Sequence, residues 1–423
     1  MNTIFQKLSR VVRDPDLRQR LLVVVLGFAL FRLGGNIPIP GVNEAALRAF
    51  LSNNNFLGLL NIFSGGGLSR LSIFMLGVGP YITSSIIMQL LTMVFPAMKR
   101  IYQEEGEAGR QKFAQYSRLI AVPLGMVQGF GILTLLSRQN ILLPLTGTQQ
   151  AINVLVVTAG AILLMWIAEM MTEYGIGNGM SLIIFGGIVA AFPTHLAQLY
   201  FTFDPSQLPV YFAFLLIGLA SIYAVVYVTE AERPIPITYS KQMRGNKMYG
   251  GGSTYLPLRL NQSGVIPIIF ALSILLFPQM IANFFATSAH ATLVKISDVI
   301  LSVINNPALY GLLYFLLVFI FTYFYTAVTF DPEQISENLQ KSGAFIAGVR
   351  PGKSTAEYLG KVISRITLVG ALFLGIIAIL PLIMQSFTGI QSIAIGGTSL
   401  LIVVSVVIEL IKQLEGQLSM REY

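Results

Sequence analysis

The sequence predicts an all-α polytopic membrane protein of about ten transmembrane helices, and three observations point there. Of its 423 residues, 54% are hydrophobic and only 11% charged, against about 25% charged in a water-soluble domain, so most of the surface must face lipid. Ten apolar runs each approach the ~20 residues a helix needs to cross about 30 Å of hydrocarbon. Lys and Arg crowd into alternate connections, the pattern left by a cytoplasmic side.

Lipid offers the backbone no hydrogen-bond partners, so runs of this length are expected to be helical. They are Leu21–Ile37, Leu71–Phe95, Leu119–Leu136, Ile152–Met171, Met180–Tyr200, Val210–Val228, Gly264–Phe285, Leu309–Phe330, Ile366–Phe387 and Ser392–Ile411. With the N-terminus inside, the cytoplasmic pieces hold 22 of the 27 basic residues, leaving Arg32, Arg48, Arg70, Arg138 and Lys295 elsewhere. Both termini are therefore expected in the cytoplasm.

The organisation follows from these runs. Residues 1–20 are charged throughout and interrupted by Asp14-Pro15-Asp16, so they read as a short amphipathic cytoplasmic segment rather than a cleaved signal. Residues 21–200 and 201–412 carry five spans each, and 413–423 form a cytoplasmic tail. The outer connection Pro38–Arg70 contains a second apolar piece, Phe56–Phe63, followed by Ser64-Gly65-Gly66-Gly67. That piece is too short to span, and it predicts either a re-entrant half-helix hinged on glycines or a helix flat on the outer surface. The cytoplasmic segments 230–263 and 331–364 exceed any connecting need. The first alternates polar and apolar residues around Gly250-Gly251-Gly252, predicting a hairpin; the second opens with the helix-start chemistry of Asp331-Pro332-Glu333. Two basic protrusions on one face suit a docking platform, or serve only to set topology.

Several function classes drop out. Cysteine is absent, removing disulfides and thiolate metal sites. His195 and His290 lie far apart, no GxxxxGK[ST] occurs, and Gly175-Ile-Gly177-Asn-Gly179 lacks the spacing of a nucleotide loop. No metal, cofactor or catalytic constellation is expected, and the chain reads as a non-enzyme. The span centres are neutral, with Glu169, Glu173, Glu230 and Glu409 at cytoplasmic ends, which argues against ion coupling. Small and polar residues line several spans (Gly77, Gly79, Thr83, Ser84, Ser85, Gln89; Asn178, Gly179, Ser181; Asn261, Gln262, Ser263). They fit close helix packing or a path, and aliphatic side chains at the same depth could seal such a path by dewetting.

Particular motifs then resemble a known family. Phe63-Ser-Gly-Gly-Gly-Leu-Ser-Arg70, Gly79-Pro-Tyr-Ile82, Gln89-Leu-Leu-Thr92, Glu105-Gly-Glu-Ala-Gly-Arg110 and Gly175-Ile-Gly-Asn-Gly179 are similar to the bacterial SecY family, channel subunits of the Sec translocase. So are Ser253-Thr-Tyr-Leu-Pro-Leu258, Gly264-Val-Ile-Pro267, Val349-Arg-Pro-Gly352 and Gly396-Gly-Thr-Ser-Leu-Leu-Ile402. The resemblance implies two pseudo-symmetric five-helix halves around a central pore. It implies a constriction ring of Val78, Ile82, Ile184, Ile188, Ile269 and Ile402, with Val78 one methylene smaller than the isoleucine common there. It implies a plug over about 57–70 (Leu57, Leu60, Ile62, Phe63, Ser64, Gly65, Gly66, Gly67, Arg70) and a lateral gate with Gln89, Asn178 and Asn261 at its seam. It implies docking of the SecA motor and the ribosome on Arg244, Lys247, Arg259, Arg350 and Lys353. SecE- and SecG-type small subunits, signal-bearing secretory and membrane polypeptides, and the lipid of a bacterial plasma membrane complete the implied partners. Before the resemblance, a secondary transporter with broken helices and a non-conducting scaffold remain open.

Overall fold

The computed structural model describes residues 14–42, 47, 61, 64, 66–68, 70–103, 105–139, 141–142, 146–201, 205, 208–239, 242–244, 247–249, 252–285, 290–388 and 391–419. A helix occupies each of the ten apolar runs. In chain order these are α1 (Pro15–Gly34), α2 (Gly79–Val94), α4 (Gly106–Arg138), α5 (Gly147–Tyr174), α6 (Gly179–Phe201), α7 (Leu208–Glu230), α8 (Ile266–Phe285), α10 (Pro307–Thr329), α12 (Lys353–Thr388) and α13 (Gln391–Ser419). Shorter helices α3 (Pro96–Gln103), α9 (Ala291–Asn305) and α11 (Pro332–Lys341) lie between them. On length and composition alone α4, α5, α7, α10 and α12 can cross a membrane, and α2 with α3 adds a pair bent by 116°. The exteriors are oily, with Leu22, Val25, Val127, Leu155, Phe212, Leu216 and Ile376 all exposed, as lipid contact requires.

Two boundaries differ from expectation. Asp14 does not interrupt the N-terminal segment but begins α1: its carboxylate accepts from the Asp16 N–H at 3.0 Å and caps the helix before Pro15. Residues 1–13 lie outside the described set. The second run is not helical from Leu71; turns occupy Leu71–Val78 and α2 starts only at Gly79. Gly77 takes φ +57°, a conformation that stops a helix, and Pro80 suits the first turn of the next one. Replacing Gly77 with Ala is expected to cost about 1–2 kcal/mol through left-handed strain. An unchanged unfolding midpoint for the detergent-purified variant would contradict this.

The chain forms two packing units, interleaved in sequence. One comprises Met1–Ala213, Leu272–Tyr310 and Pro381–Tyr423; the other comprises Phe214–Ala271 and Gly311–Leu380. In the first unit, α5 packs on α1, α2, α4 and α6, while α13 packs on α6. Its main core gathers Leu68, Leu71, Met75 and Leu76 against Leu133, Leu136, Val157 and Ala161 of α4 and α5.

The second unit carries the expected hairpin. Strand β1 (Glu232–Tyr239) pairs antiparallel with β4 (Ser253–Arg259), with Ile235 opposite Leu256. Between them, β2 (Gln242–Arg244) pairs with β3 (Lys247–Tyr249). The other protrusion joins the same sheet: β5 (Ala344–Ile346) pairs with β1 over Ile237, Thr238 and Tyr239, giving the order β4-β1-β5. Pro234 and Pro236 both fall where β1 has a neighbour on one side only, which tolerates a missing N–H. Ile235, Ile237, Leu258 and Ile346 cover Leu359, Val362 and Ile363 at the base of α12, forming a small core for both protrusions.

Candidate functional site

The six aliphatic positions of the expected ring are all buried: Val78 0%, Ile82 7%, Ile184 1%, Ile188 9%, Ile269 5% and Ile402 1% exposed. Five belong to the first packing unit, on α2, α6 and α13 or immediately before α2; Ile269 lies on α8 within the second. Val78 is the N-cap residue of α2, and its carbonyl accepts from the Ile82 N–H at 3.0 Å. The two therefore lie one helical turn apart on one side of α2, and Ile184 and Ile188 repeat that spacing on α6.

The connection from the expected plug into α2 is irregular yet thoroughly bonded. The Ser64 hydroxyl donates to the Asn61 carbonyl at 3.1 Å and accepts from the Leu68 N–H at 3.0 Å. The Ser72 hydroxyl donates to the Gly67 carbonyl at 3.2 Å and accepts from the Phe74 N–H at 3.3 Å. An extended piece beside it completes the set: the Ile39 N–H donates to the Leu71 carbonyl at 2.8 Å, and the Ile73 N–H donates to the Ile37 carbonyl at 3.0 Å. Ser64, Leu68, Leu71 and Ser72 are 0–1% exposed. Non-helical chain is tolerable in a membrane protein where protein rather than lipid surrounds it, and the two serines supply the side-chain partners. Of the plug candidates, Ser64, Gly66, Gly67 and Arg70 are described, with Gly67 buried and Arg70 exposed. Leu57, Leu60, Ile62, Phe63 and Gly65, with the expected half-helix, lie outside the described residues.

The polar residues expected at the gate divide by role. Gln89 on α2 donates through Nε2 to the Ser85 hydroxyl at 3.4 Å, while its buried Oε1 has no partner among the described residues. Asn178 caps α6, its Oδ1 accepting from the Met180 N–H at 3.0 Å and the Ser181 N–H at 3.3 Å. Asn261, in the second unit, closes the turn before α8 by donating to the Gly264 carbonyl at 3.2 Å, and it accepts from the Ser263 hydroxyl. Asn178 and Asn261 thus each have a local structural task.

The basic candidates sit on the sheet-bearing platform. Arg259 ends β4 and pairs with Glu232 at 3.3 Å. Arg244 and Lys247 face each other across the β2–β3 pair; their side chains are not described. Arg350 and Lys353 are exposed and make no ion pair among the described residues. The loop bearing Arg350 is braced: the Thr355 hydroxyl donates to the Arg350 carbonyl at 2.9 Å, and the Ser336 hydroxyl of α11 donates to the Gly352 carbonyl at 2.7 Å. Asp331 caps α11 as its sequence signature predicts, accepting from the Glu333 N–H at 2.9 Å.

One polar cluster joins Ser84 and Glu169, each noted separately in the sequence, to partners that the sequence does not connect with them. Arg118 of α4 pairs with Glu169 of α5 at 2.8 Å, Glu169 hydrogen-bonds the Tyr81 hydroxyl of α2, and Ser84 donates to the Ser117 carbonyl. It clasps α2, which carries Val78 and Ile82 at its start, to α4 and α5. Opposite charges near the facing ends of two long helices were its only sequence signal.

The chain is similar to several known proteins. The family model described as SecY matches residues 72–411. A protein translocase subunit SecY of Thermotoga maritima is 40% identical over 99% of this chain and 97% of its own length. The SecY subunits of Aquifex aeolicus and Thermus thermophilus are each 42% identical, covering 96% and 97% of this chain and 96% and 94% of their own. A solved protein-conducting channel superposes with TM-score 0.64 at 18% identity, over 94% of this chain and 92% of that one. A SecY structure concerned with the plug domain, the closed state and the membrane seal gives 0.65 at 19% identity over the same shares. Canine Sec61 in a ribosome–channel complex gives 0.60 at 17% identity, again over 94% and 92%.

Proposed function

The chain belongs to the SecY family, and we propose that its aliphatic ring and buried plug connection form the closable throat of a protein-conducting channel. As a translocase channel subunit it is a multi-pass membrane protein and not an enzyme, which sets aside the transporter and scaffold alternatives. The observation that carries the proposal is the burial of Val78, Ile82, Ile184, Ile188 and Ile402 within one packing unit, on or immediately before three of its helices. Such side chains make a compliant gasket: they exclude water when closed and yield to any polypeptide without a specific contact. Ile269 of α8, in the second unit, is the sixth aliphatic position assigned to this role by family resemblance. The plug is assigned to residues 57–70, whose described members Asn61, Ser64, Gly67 and Leu68 are tied by the Ser64 and Ser72 hydroxyls.

The lateral gate is assigned to Gln89 and Asn178 in the first unit and to Asn261 in the second, and it opens toward lipid. A signal segment then partitions into lipid, favoured by about 25 cal/mol per Å² of apolar area. Energy comes from outside, through the platform: Arg244, Lys247, Arg259, Arg350 and Lys353 receive the SecA motor or the ribosome. Span α7 leaves Phe212, Leu215, Leu216, Leu219, Tyr223 and Tyr227 exposed, surface enough for lipid and for SecE- or SecG-type subunits. The protein sits in the bacterial plasma membrane with both termini cytoplasmic, the side on which its basic residues concentrate.

The test is site-specific crosslinking from a stalled secretory chain to probes at positions 82, 188 and 269. Adducts at all three, and none at Leu216 or Leu219, are expected; adducts only at the latter pair would reject the throat.

A further inference from the structure

The turn joining α5 to α6, Gly175-Ile-Gly-Asn-Gly179, belongs neither to the ring nor to the platform, yet it is tightly built. Ile176 is 2% exposed and packs in a cluster with Leu17 (0% exposed) and Leu21 of α1 and with Leu410 and Leu414 of α13. Gly177 takes φ +87°, a conformation that favours glycine, and its backbone lies against α13, where an added Cβ would come 2.8 Å from a Leu410 methyl. Asn178 then caps α6, and the Gly179 N–H donates to the Thr172 hydroxyl at 2.8 Å. The turn is fixed from both ends, with one large aliphatic knob projecting from its middle.

The helix that receives the knob also carries a ring residue. Ile402, Val406, Leu410 and Leu414 recur every four residues along α13, so they form one ridge of that helix. Ile402 and Val406 are 1% and 2% exposed. At 1.5 Å per residue the ridge runs about 18 Å, and the Leu410 end of the socket stands about 12 Å from Ile402. The knob, for its part, leads directly into α6, where Ile184 and Ile188 lie within the first three turns, and α6 packs along α13. Three ring positions therefore ride on two helices whose cytoplasmic ends are pinned by one side chain. Well-packed interiors transmit displacement rather than absorb it.

From this we infer that Ile176 is a positioning residue for the ring: seated among Leu17, Leu21, Leu410 and Leu414, it sets the offset of α13 against α6 and so the closeness of Ile402 to Ile184 and Ile188. This inference rests on the ring reading above. It also makes the cytoplasmic end of α13 a lever on the seal.

The experiment compares Ile176→Ala, Ile176→Val and Leu414→Ala in the full chain, reconstituted with its accessory subunits. Ion leak and export of a reporter with a defective signal are measured, each normalised to protein in the membrane. Val318→Ala, which hollows a fully buried position of α10, controls for general destabilisation; Ile82→Asn reports on the ring. Emptying the socket is expected to raise leak and defective-signal export about tenfold in both Ala variants at 176 and 414, with Ile176→Val near wild type and Val318→Ala without effect. If Ile176→Ala fails to accumulate, Leu414→Ala decides. A tight channel in the Ala variants while Ile82→Asn leaks overturns the inference and leaves the ring standing, as does a leak of equal size in Val318→Ala. A tight Ile82→Asn channel removes the ring and this inference with it.

Discussion

Exchanging Ile82 or Ile402 for Asn is expected to make the resting channel leak ions and to admit reporters whose signal sequences are too weak for the wild type. Both side chains are almost completely buried, at 7% and 1% exposed. A carboxamide placed among aliphatic neighbours leaves donors and acceptors unmet in the closed state, a penalty of about 1–3 kcal/mol. The open state wets the same site and relieves that penalty, so the difference falls wholly on the closed–open equilibrium. At about 2 kcal/mol the open fraction rises on the order of thirtyfold. On the proposed reading a signal sequence's binding energy opens the gate, and a gate already destabilised by that amount needs less of it. Planar-bilayer conductance checks the first consequence and export of a crippled-signal reporter the second; unchanged values of both in both variants would show that these side chains seal nothing.

The features that sequence made legible are those with a strong local cause. Ten apolar runs became ten helices because lipid leaves the backbone no alternative. The helix opened by Asp331-Pro332-Glu333 follows from capping, which acts over a few residues; alternation announced strands on either side of Gly250-Gly251-Gly252, but β4 pairs with β1 and β3 with β2, so the flanking strands are not each other's partners. The failures are equally physical. Hydropathy cannot separate a helix from buried irregular chain, so Leu71–Val78 reads as span although Gly77 and Gly79-Pro80 mark the true start. Strand β5 is three residues long and depends on Ile237, Thr238 and Tyr239, more than a hundred residues earlier; no local pattern announces it. Helix α9 stayed hidden in the connection after α8, where Lys295 and Asp298 lower the apolar signal. As for the ring, nothing in composition distinguishes Ile82 from Ile86 or Ile87, and only resemblance to a family separates them.

Reversing the charge at Arg350 is expected to abolish motor-driven export while leaving the channel correctly inserted. The residue stands on a loop that the fold holds still: β5 fastens one side to β1, Ser336 and Thr355 bond the loop carbonyls, and Leu359 and Val362 pack beneath. A rigid mount keeps the guanidinium's ordering cost low on binding. The side chain is exposed and free of any ion pair among the described residues, so it is available to a carboxylate on a partner. Arg350→Glu replaces attraction with repulsion at that contact, and disruption of a charge pair that becomes buried in an interface costs about 2–5 kcal/mol. An affinity loss on the order of a hundredfold or more follows. The fold is expected to persist, because the side chain is exposed and makes no ion pair among the described residues. ATP-driven import into inverted membrane vesicles should therefore fall to background for Arg350→Glu, with Arg350→Lys intermediate because it keeps the charge but loses the planar fork. The amount of channel in the membrane should match wild type. Import at the wild-type rate would dissociate the motor from this loop and leave the platform without its principal contact.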